Sequence, residues 1–207
     1  MSDQQVELHV DAVCPWCWLT ALWLYEVERV RPISVTTKVF SLAAVHKERG
    51  DALKSAERAL RVLVAARRLG GEPAIRAVYR ELGEAHHERS ESLGEQATLQ
   101  NALIAAALDP TLAEQALADD STLSEVLAEH TGAVDRGAFG VPTLSIDGSD
   151  SFFGPIIAER ITAADAGRLW DIVAPVLTEP RLFELKRNRT RKPEVGRNRT
   201  TSAGVAD

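Results

Sequence analysis

Cysteine is scarce in this chain: 207 residues include only Cys14 and Cys17. Two thiols cannot build the multi-bridge framework that holds small secreted domains together, so the fold must rest on an apolar core. Long apolar runs are missing as well. None approaches the roughly 18 residues needed to cross a bilayer, because Arg, Glu or Gly interrupts each within a turn or two. The opening MSDQQVELHV has no basic stretch followed by an apolar one and a small-residue cleavage site, so it does not read as a secretory leader and a cytoplasmic protein is expected. What is present, 45% hydrophobic and 26% charged residues, excludes a disordered chain and matches an ordinary soluble globular protein.

Charge is unevenly placed. The net charge is -6, yet residues 181–207 hold eight Lys or Arg against Glu184, Glu194 and Asp207, a local +5 that leaves -11 on residues 1–180. Clustered Lys and Arg can bind nucleic acid by releasing counterions from phosphates. The favoured reading is instead a C-terminal extension, docked in part on its own acidic body and flexible beyond that.

Val6, Leu8 and Val10 alternate with Glu7, His9 and Asp11, the period-2 pattern of a strand with one buried face. Its polar face suggests a nearby solvated cleft, since a strand covered by helices on both sides should be apolar throughout. Directly after it comes Cys14-Pro15-Trp16-Cys17, then Trp18, Leu19, Leu22, Trp23, Tyr25, Val27 and Val30 at helical spacing. Pro15 suits a first helical turn, where its missing N–H costs nothing. Pro32 marks the end of that helix, and Ile33–Leu42 (ISVTTKVFSL) predicts a second strand. Strand, helix and strand in this order form a right-handed βαβ unit with parallel strands.

From about Asp51 to Arg136 the pattern is helical, with helices expected at 51–69, 73–88, 95–108, 111–118 and 122–136. Gly70-Gly71 separates the first two, and Pro110 to Glu114 carries a capping-box pattern. Sheet character returns at Val141–Asp147, then a Gly148-centred turn and Ser151–Pro155 complete a hairpin. A last helix is expected near Thr162, with Asp165 as cap partner. The fold class is α/β, a thioredoxin fold with a large all-helical insertion. Residues 1–45 and 137–180 form the thioredoxin-like domain, 46–136 the insertion and 181–207 the basic extension.

A C-x-x-C between the strand and helix of a βαβ unit is the redox signature of thioredoxin-like proteins. At a helix N-terminus, free amides and aligned peptide dipoles favour negative charge, so a thiol there ionises below the free-cysteine value of about 8.5. Cys14 is that nucleophile. Cys17, one turn on, can attack a mixed disulfide and release the product. Pro15 stiffens the turn and Trp16 offers a flat apolar surface beside the sulfur. A zinc site is disfavoured because His9, His46, His86, His87 and His130 lack ligand spacing, so no metal is expected; an inert packed pair would leave the Pro-aromatic linker without purpose.

The motif, the helical insertion and the later Gly140-Val141-Pro142-Thr143 together resemble the DsbA-like branch of the thioredoxin superfamily. The similarity is greater to the actinobacterial mycothiol-dependent nitroreductases, through VDAVCPWCWLTALWLYEVERVR, VFSLA, GVPTLSIDG, SFFGP, GRLWD and FELKRNRT. The resemblance implies a cis bond at Pro142, with the Val141 backbone pairing with a bound thiol substrate. It implies a cytosolic dithiol recycled by mycothiol, with no tightly bound cofactor, that reduces small-molecule electrophiles such as nitroaromatics. It also places His46 where the family carries Asn beside the site, and matches His87 to a family histidine near the pocket; read alone, a histidine on a polar helix is a surface residue. Alternatives are a protein disulfide isomerase of the FrnE type, and a redox-sensing module with little turnover. No membrane partner is expected, and a homodimer is compatible with the sequence.

Overall fold

The computed structural model describes residues 3–46 and 51–196. The free end expected for the basic extension after Gly196, and the junction at 47–50, lie outside the described residues. Strand β1 (Gln4–Val10) is followed by helix α1 (Pro15–Glu28), strand β2 (Ile33–Val39) and a one-turn helix α2 (Leu42–Val45). Helices α3 (Asp51–Gly83), α4 (Gln96–Ala105), α5 (Leu112–Ala118) and α6 (Asp120–Asp135) come next, then strands β3 (Thr143–Ile146) and β4 (Phe152–Phe153) and helix α7 (Ala163–Leu177).

The four strands form one sheet in the order β2-β1-β3-β4, with β1 parallel to β2 and antiparallel to β3. The βαβ unit and the hairpin therefore share a sheet, as the pattern predicts. The hairpin ladder is short, only Thr143 against Phe153 and Leu144 against Phe152. Asp147 and Gly148, both at positive φ, make its tight turn, where Ser149 N–H reaches Ile146 O at 2.9 Å. The turn type suits the right-handed twist of paired strands.

β1 lies at the centre of the sheet, and this corrects the solvated-cleft expectation. His9 and Asp11 are 1% and 0% exposed. Only Glu7 reaches the surface, where it pairs with Arg136 at 2.8 Å. A central strand is covered on both faces, so its polar residues are buried with the apolar ones.

α1 is buried over most of its length, from Cys17 to Leu24 and again at Val27. It ends at Glu28, four residues before Pro32, which leaves Val30 outside the helix and exposed. It packs on α7, where Trp23 Nε1 donates to Ala166 O at 3.2 Å and Arg31 grips Asp171 through two bonds of 2.7 and 2.6 Å. Gly71, at φ 66 and ψ −155, breaks α3 into two rods; that conformation is open essentially to glycine alone. The second rod runs straight into a π turn at Glu84–Glu88. Neither expected capping box forms: Thr111 and Thr162 precede α5 and α7 without a side-chain cap bond, and Thr111 is held by Asp109 instead.

The outer edge of β2 is closed by carboxylates. Val35 N–H donates to Glu28, Thr37 N–H to Glu72 and Val39 N–H to Glu129, at 2.7 to 3.0 Å. Arg76 and Arg67 neutralise these acids in turn, Arg76 pairing with Glu28 and Arg67 with Glu129. An open strand edge invites pairing with another chain; here Glu28 of α1, Glu72 of α3 and Glu129 of α6 take three of its N–H groups.

Candidate active site

The turn from β1 into α1 is held by one buried carboxylate. Asp11 Oδ1 accepts from Val13 N–H at 3.1 Å, Oδ2 accepts from Leu42 N–H at 2.8 Å, and Asp11 O receives Cys14 N–H at 3.0 Å. Asp11 thus ties the cysteine loop to the start of α2. Full burial pushes its pKa up from the usual 3.8 to about 6, although the two backbone donors pull the other way.

Cys14 is the N-cap of α1, with Pro15 at its first position, and its sulfur accepts from Cys17 N–H at 3.3 Å. Both cysteines are free. Their environments pull their acidities apart. The Cys14 thiol is held below its ordinary pKa chiefly by a hydrogen bond from the Cys17 thiol, then by the Cys17 and Trp16 N–H groups, against burial and the Asp11 charge. Cys17 is pushed well above it by burial and by its bond to Cys14. One thiolate supported by one thiol is the arrangement that nucleophilic attack followed by resolution requires. The helix terminus acts here through individual N–H donors, alongside the second thiol.

The Val141–Pro142 bond is cis, and Val141 O lies 3.7 Å from Cys14 Sγ. Strand β3 carries this loop beside the sulfur, 127 residues away along the chain. Cys14 itself is only 6% exposed. Trp16 is half-buried, and the guanidinium of Arg189 stands 5.1 Å from the centre of its indole.

His87 corrects the surface reading of a histidine on a polar helix. Its ring sits on the π turn, stacks on Trp18 at 6.1 Å and places Nε2 3.0 Å from Ala12 O, two residues before Cys14. Burial drives its pKa down to about 4, so near neutral pH it is an uncharged donor to that carbonyl. His46 ends α2, its backbone N–H closing the turn on Leu42 O at 2.9 Å. It therefore belongs to the short helix that Asp11 ties to the cysteine loop.

Pattern reasoning missed three residues around this site. The alternation sets Asp11 beside an open cleft; its place just past the end of β1 and three residues before Cys14 is the signal that finds it. Tyr79, from the second rod of α3, is fully buried with no hydrogen-bond partner for its hydroxyl among the described residues, and the charges of both cysteines act on it. Arg189 came only with the fold, since nothing in a basic extension says where it lies.

Comparison with known proteins agrees with this arrangement. Residues 13–187 match the model of the Rv2466c-like family, described as mycothiol-dependent nitroreductase Rv2466c. The chain belongs to that family. It is also 26% identical over 190 residues to uncharacterized protein Rv2286c of Mycobacterium tuberculosis, covering 89% of this chain and 82% of that one. Among solved structures, a putative protein disulfide isomerase from Nitrosomonas europaea superposes with a TM-score of 0.62 at 15% identity, over 84% of this chain and 98% of the other. The cytosolic disulfide reductase DsbM from Pseudomonas aeruginosa, solved with GSH, gives 0.60 at 14% identity, over 83% and 99%. This member of the Rv2466c-like family thus has the DsbA-like thioredoxin fold and is a thiol-dependent oxidoreductase.

Proposed function

We propose that this protein is a cytoplasmic reductase in which Cys14 and Cys17 reduce small electrophiles, nitroaromatics among them, and mycothiol restores the dithiol. The observation that carries the reading is the Cys14 thiol, made more acidic by a second thiol and two N–H donors, with Cys17 N–H 3.3 Å from its sulfur. With a disulfide substrate, the Cys14 thiolate attacks one sulfur, forming a mixed disulfide and expelling the other as thiolate. Cys17 then gives up its proton, bonds to Cys14 and releases the second thiol. Two thiols lose two electrons and the substrate bond gains them. A nitro group takes the same two electrons, with two protons, to give a nitroso group and water. Two mycothiol molecules return the electrons and leave as their disulfide.

In this reading Pro15 and Trp16 shape the approach to the sulfur, and the Val141 backbone before Pro142 aligns the incoming thiol. His87 anchors the Ala12 carbonyl below the cysteine loop, and His46 flanks the site from α2. No metal is invoked. The decisive experiment is a pair of variants. Cys14→Ser should abolish turnover with a thiol-reducing system, and Cys17→Ser given mycothiol disulfide should release one mycothiol and accumulate a mixed disulfide whose added mass is that of mycothiol less two hydrogens. Turnover retained by Cys14→Ser would refute the assignment.

A second reading, disulfide exchange on protein substrates, draws on Phe139, which is 70% exposed and stacks on Phe153 at 4.9 Å, two residues before Val141. Refolding of a scrambled disulfide protein at a rate above that of free thiol would favour it.

A further inference from the structure

We propose that the C-terminal strap makes the mouth of the thiol site select negatively charged reaction partners, with Arg189 as the specificity-determining residue. The inference rests on Cys14 being the reactive group, as proposed above, and concerns what may approach it. Residues 186–192 read KRNRTRK, five positive charges and no negative one, on a chain whose first 180 residues carry -11. The strap returns along the loop after Pro155. Glu194 N–H donates to Ala158 O at 2.7 Å, Arg191 pairs with Glu159 at 3.2 Å and with Glu194 at 3.1 Å, and Val195 packs against the core. That loop is itself tied down, because Thr20 Oγ1 donates to Pro155 O at 2.9 Å and Arg160 pairs with Glu88 of the π turn.

Anchored in this way, the strap sets Arg189 over the ring of Trp16, one of the two residues between the cysteines. Its guanidinium is exposed and, among the described residues, has no carboxylate within ion-pair distance; Lys186, Arg187 and Lys192 have none either. A guanidinium stacked on an indole keeps its N–H donors in the plane of the group, facing sideways and open to an acceptor. Cys14 is only 6% exposed, and Trp16, two residues on in the same turn, carries this cation over its ring, so the charge stands close to the small part of the sulfur that a partner can reach. A local positive field on an acidic protein raises the encounter rate of anions and leaves neutral molecules unassisted. The ligand class is a small carboxylate-bearing disulfide or electrophile, or a thiolate. Arg189 lies two residues past the span that matches the family model.

The test uses the reduced full-length protein in stopped flow with two aromatic disulfides, dianionic 5,5′-dithiobis(2-nitrobenzoate) and neutral 4,4′-dithiodipyridine. Either probe is cleaved as described for disulfides above, releasing two aryl thiols and leaving the Cys14–Cys17 disulfide. Arg189→Ala should lower the ratio of the dianion rate to the neutral rate by about three- to tenfold, as expected for one exposed charge at a binding mouth. Arg189→Glu should lower it further, and Arg189→Lys should keep it near the wild-type value. Raising salt so that the Debye length falls from about 10 Å to about 3 Å should compress the wild-type ratio in the same direction. A ratio unchanged in Arg189→Ala, or changed equally in Arg189→Lys, overturns the proposal. Failure of the neutral probe to react with wild-type protein would instead strike the assignment of Cys14.

Discussion

Replacing Asp11 by Asn should change stability in a way that depends on pH with a sign opposite to ordinary acid denaturation. Asp11 is fully buried beneath the cysteine turn, and its pKa rises from 3.8 to about 6. The folded protein therefore holds a proton there between those values while the unfolded chain does not, so this group's contribution to stability is present below pH 3.8 and is lost as pH rises through 6. A shift of this size corresponds to about 3 kcal/mol against folding when the carboxylate is ionised, at about 1.36 kcal/mol per unit. Asn removes that charge at every pH, but its amide can accept from only one of Val13 N–H and Leu42 N–H and turns its own N–H₂ towards the other. The loss is about 1–3 kcal/mol and does not depend on pH. At pH 7.5 the two effects oppose each other, so the variant should match wild type within about 2 kcal/mol; near pH 4 only the lost bond remains and the variant should be the weaker. Urea unfolding followed by tryptophan fluorescence at both pH values gives the difference directly. His9 and His87, held neutral by burial with pKa values of about 4, lose stability as pH falls below the usual 6.5, yet they do so in both proteins and cancel. The variant should also lower the acidity midpoint of both thiols, since the Asp11 charge raises each. A wild-type minus variant stability difference that stays flat between pH 7.5 and 4 would show that Asp11 titrates normally and refute the reasoning.

Three further outcomes follow from the same contacts. Alkylation of the reduced protein should proceed at Cys14 with a midpoint below that of a free cysteine and leave Cys17 unmodified until well above it; a midpoint for Cys14 at or above the free value would contradict the hydrogen-bond support of its sulfur. Gly83→Ala would place a methyl 2.3 Å from Trp18 Cε3, and the buried ring has no free space, so a loss of about 1–3 kcal/mol or more is expected in urea titration. Glu72→Ala strips the acceptor from Thr37 N–H and from the Thr37 hydroxyl, at about 1–2 kcal/mol, whereas Glu72→Gln keeps an acceptor and should lose less than half of that.

The elements were legible where the pattern is local. The alternation at Val6, Leu8 and Val10, the helical spacing after Cys17, and the Gly70-Gly71 break all depend on neighbours a few residues apart, and each appears in the structure. Where a residue's state is set by distant partners, the pattern misled. Thr111 and Thr162 carry the letters of capping boxes but lack the bonds: Asp109 takes Thr111, whose backbone is already helical, and Thr162, though extended as a cap residue should be, makes no side-chain cap bond. His87 looks like a surface histidine on a polar helix, and the π turn rotates it inward onto Trp18.

The amino-acid order by itself determined the chemistry available: a thiol pair one helical turn apart, set after a strand and stiffened by proline, since a helix start supplies unpaired N–H groups wherever it forms. That order also singled out Cys14 as the sulfur at the helix start, but how deeply each sulfur is buried and which distant groups stand beside it were decided only when the chain closed. Burial and the Val141 carbonyl reach Cys14, and Arg189 reaches Trp16, from far along the chain, and charge and desolvation depend on distance in space, which separation along the chain does not encode.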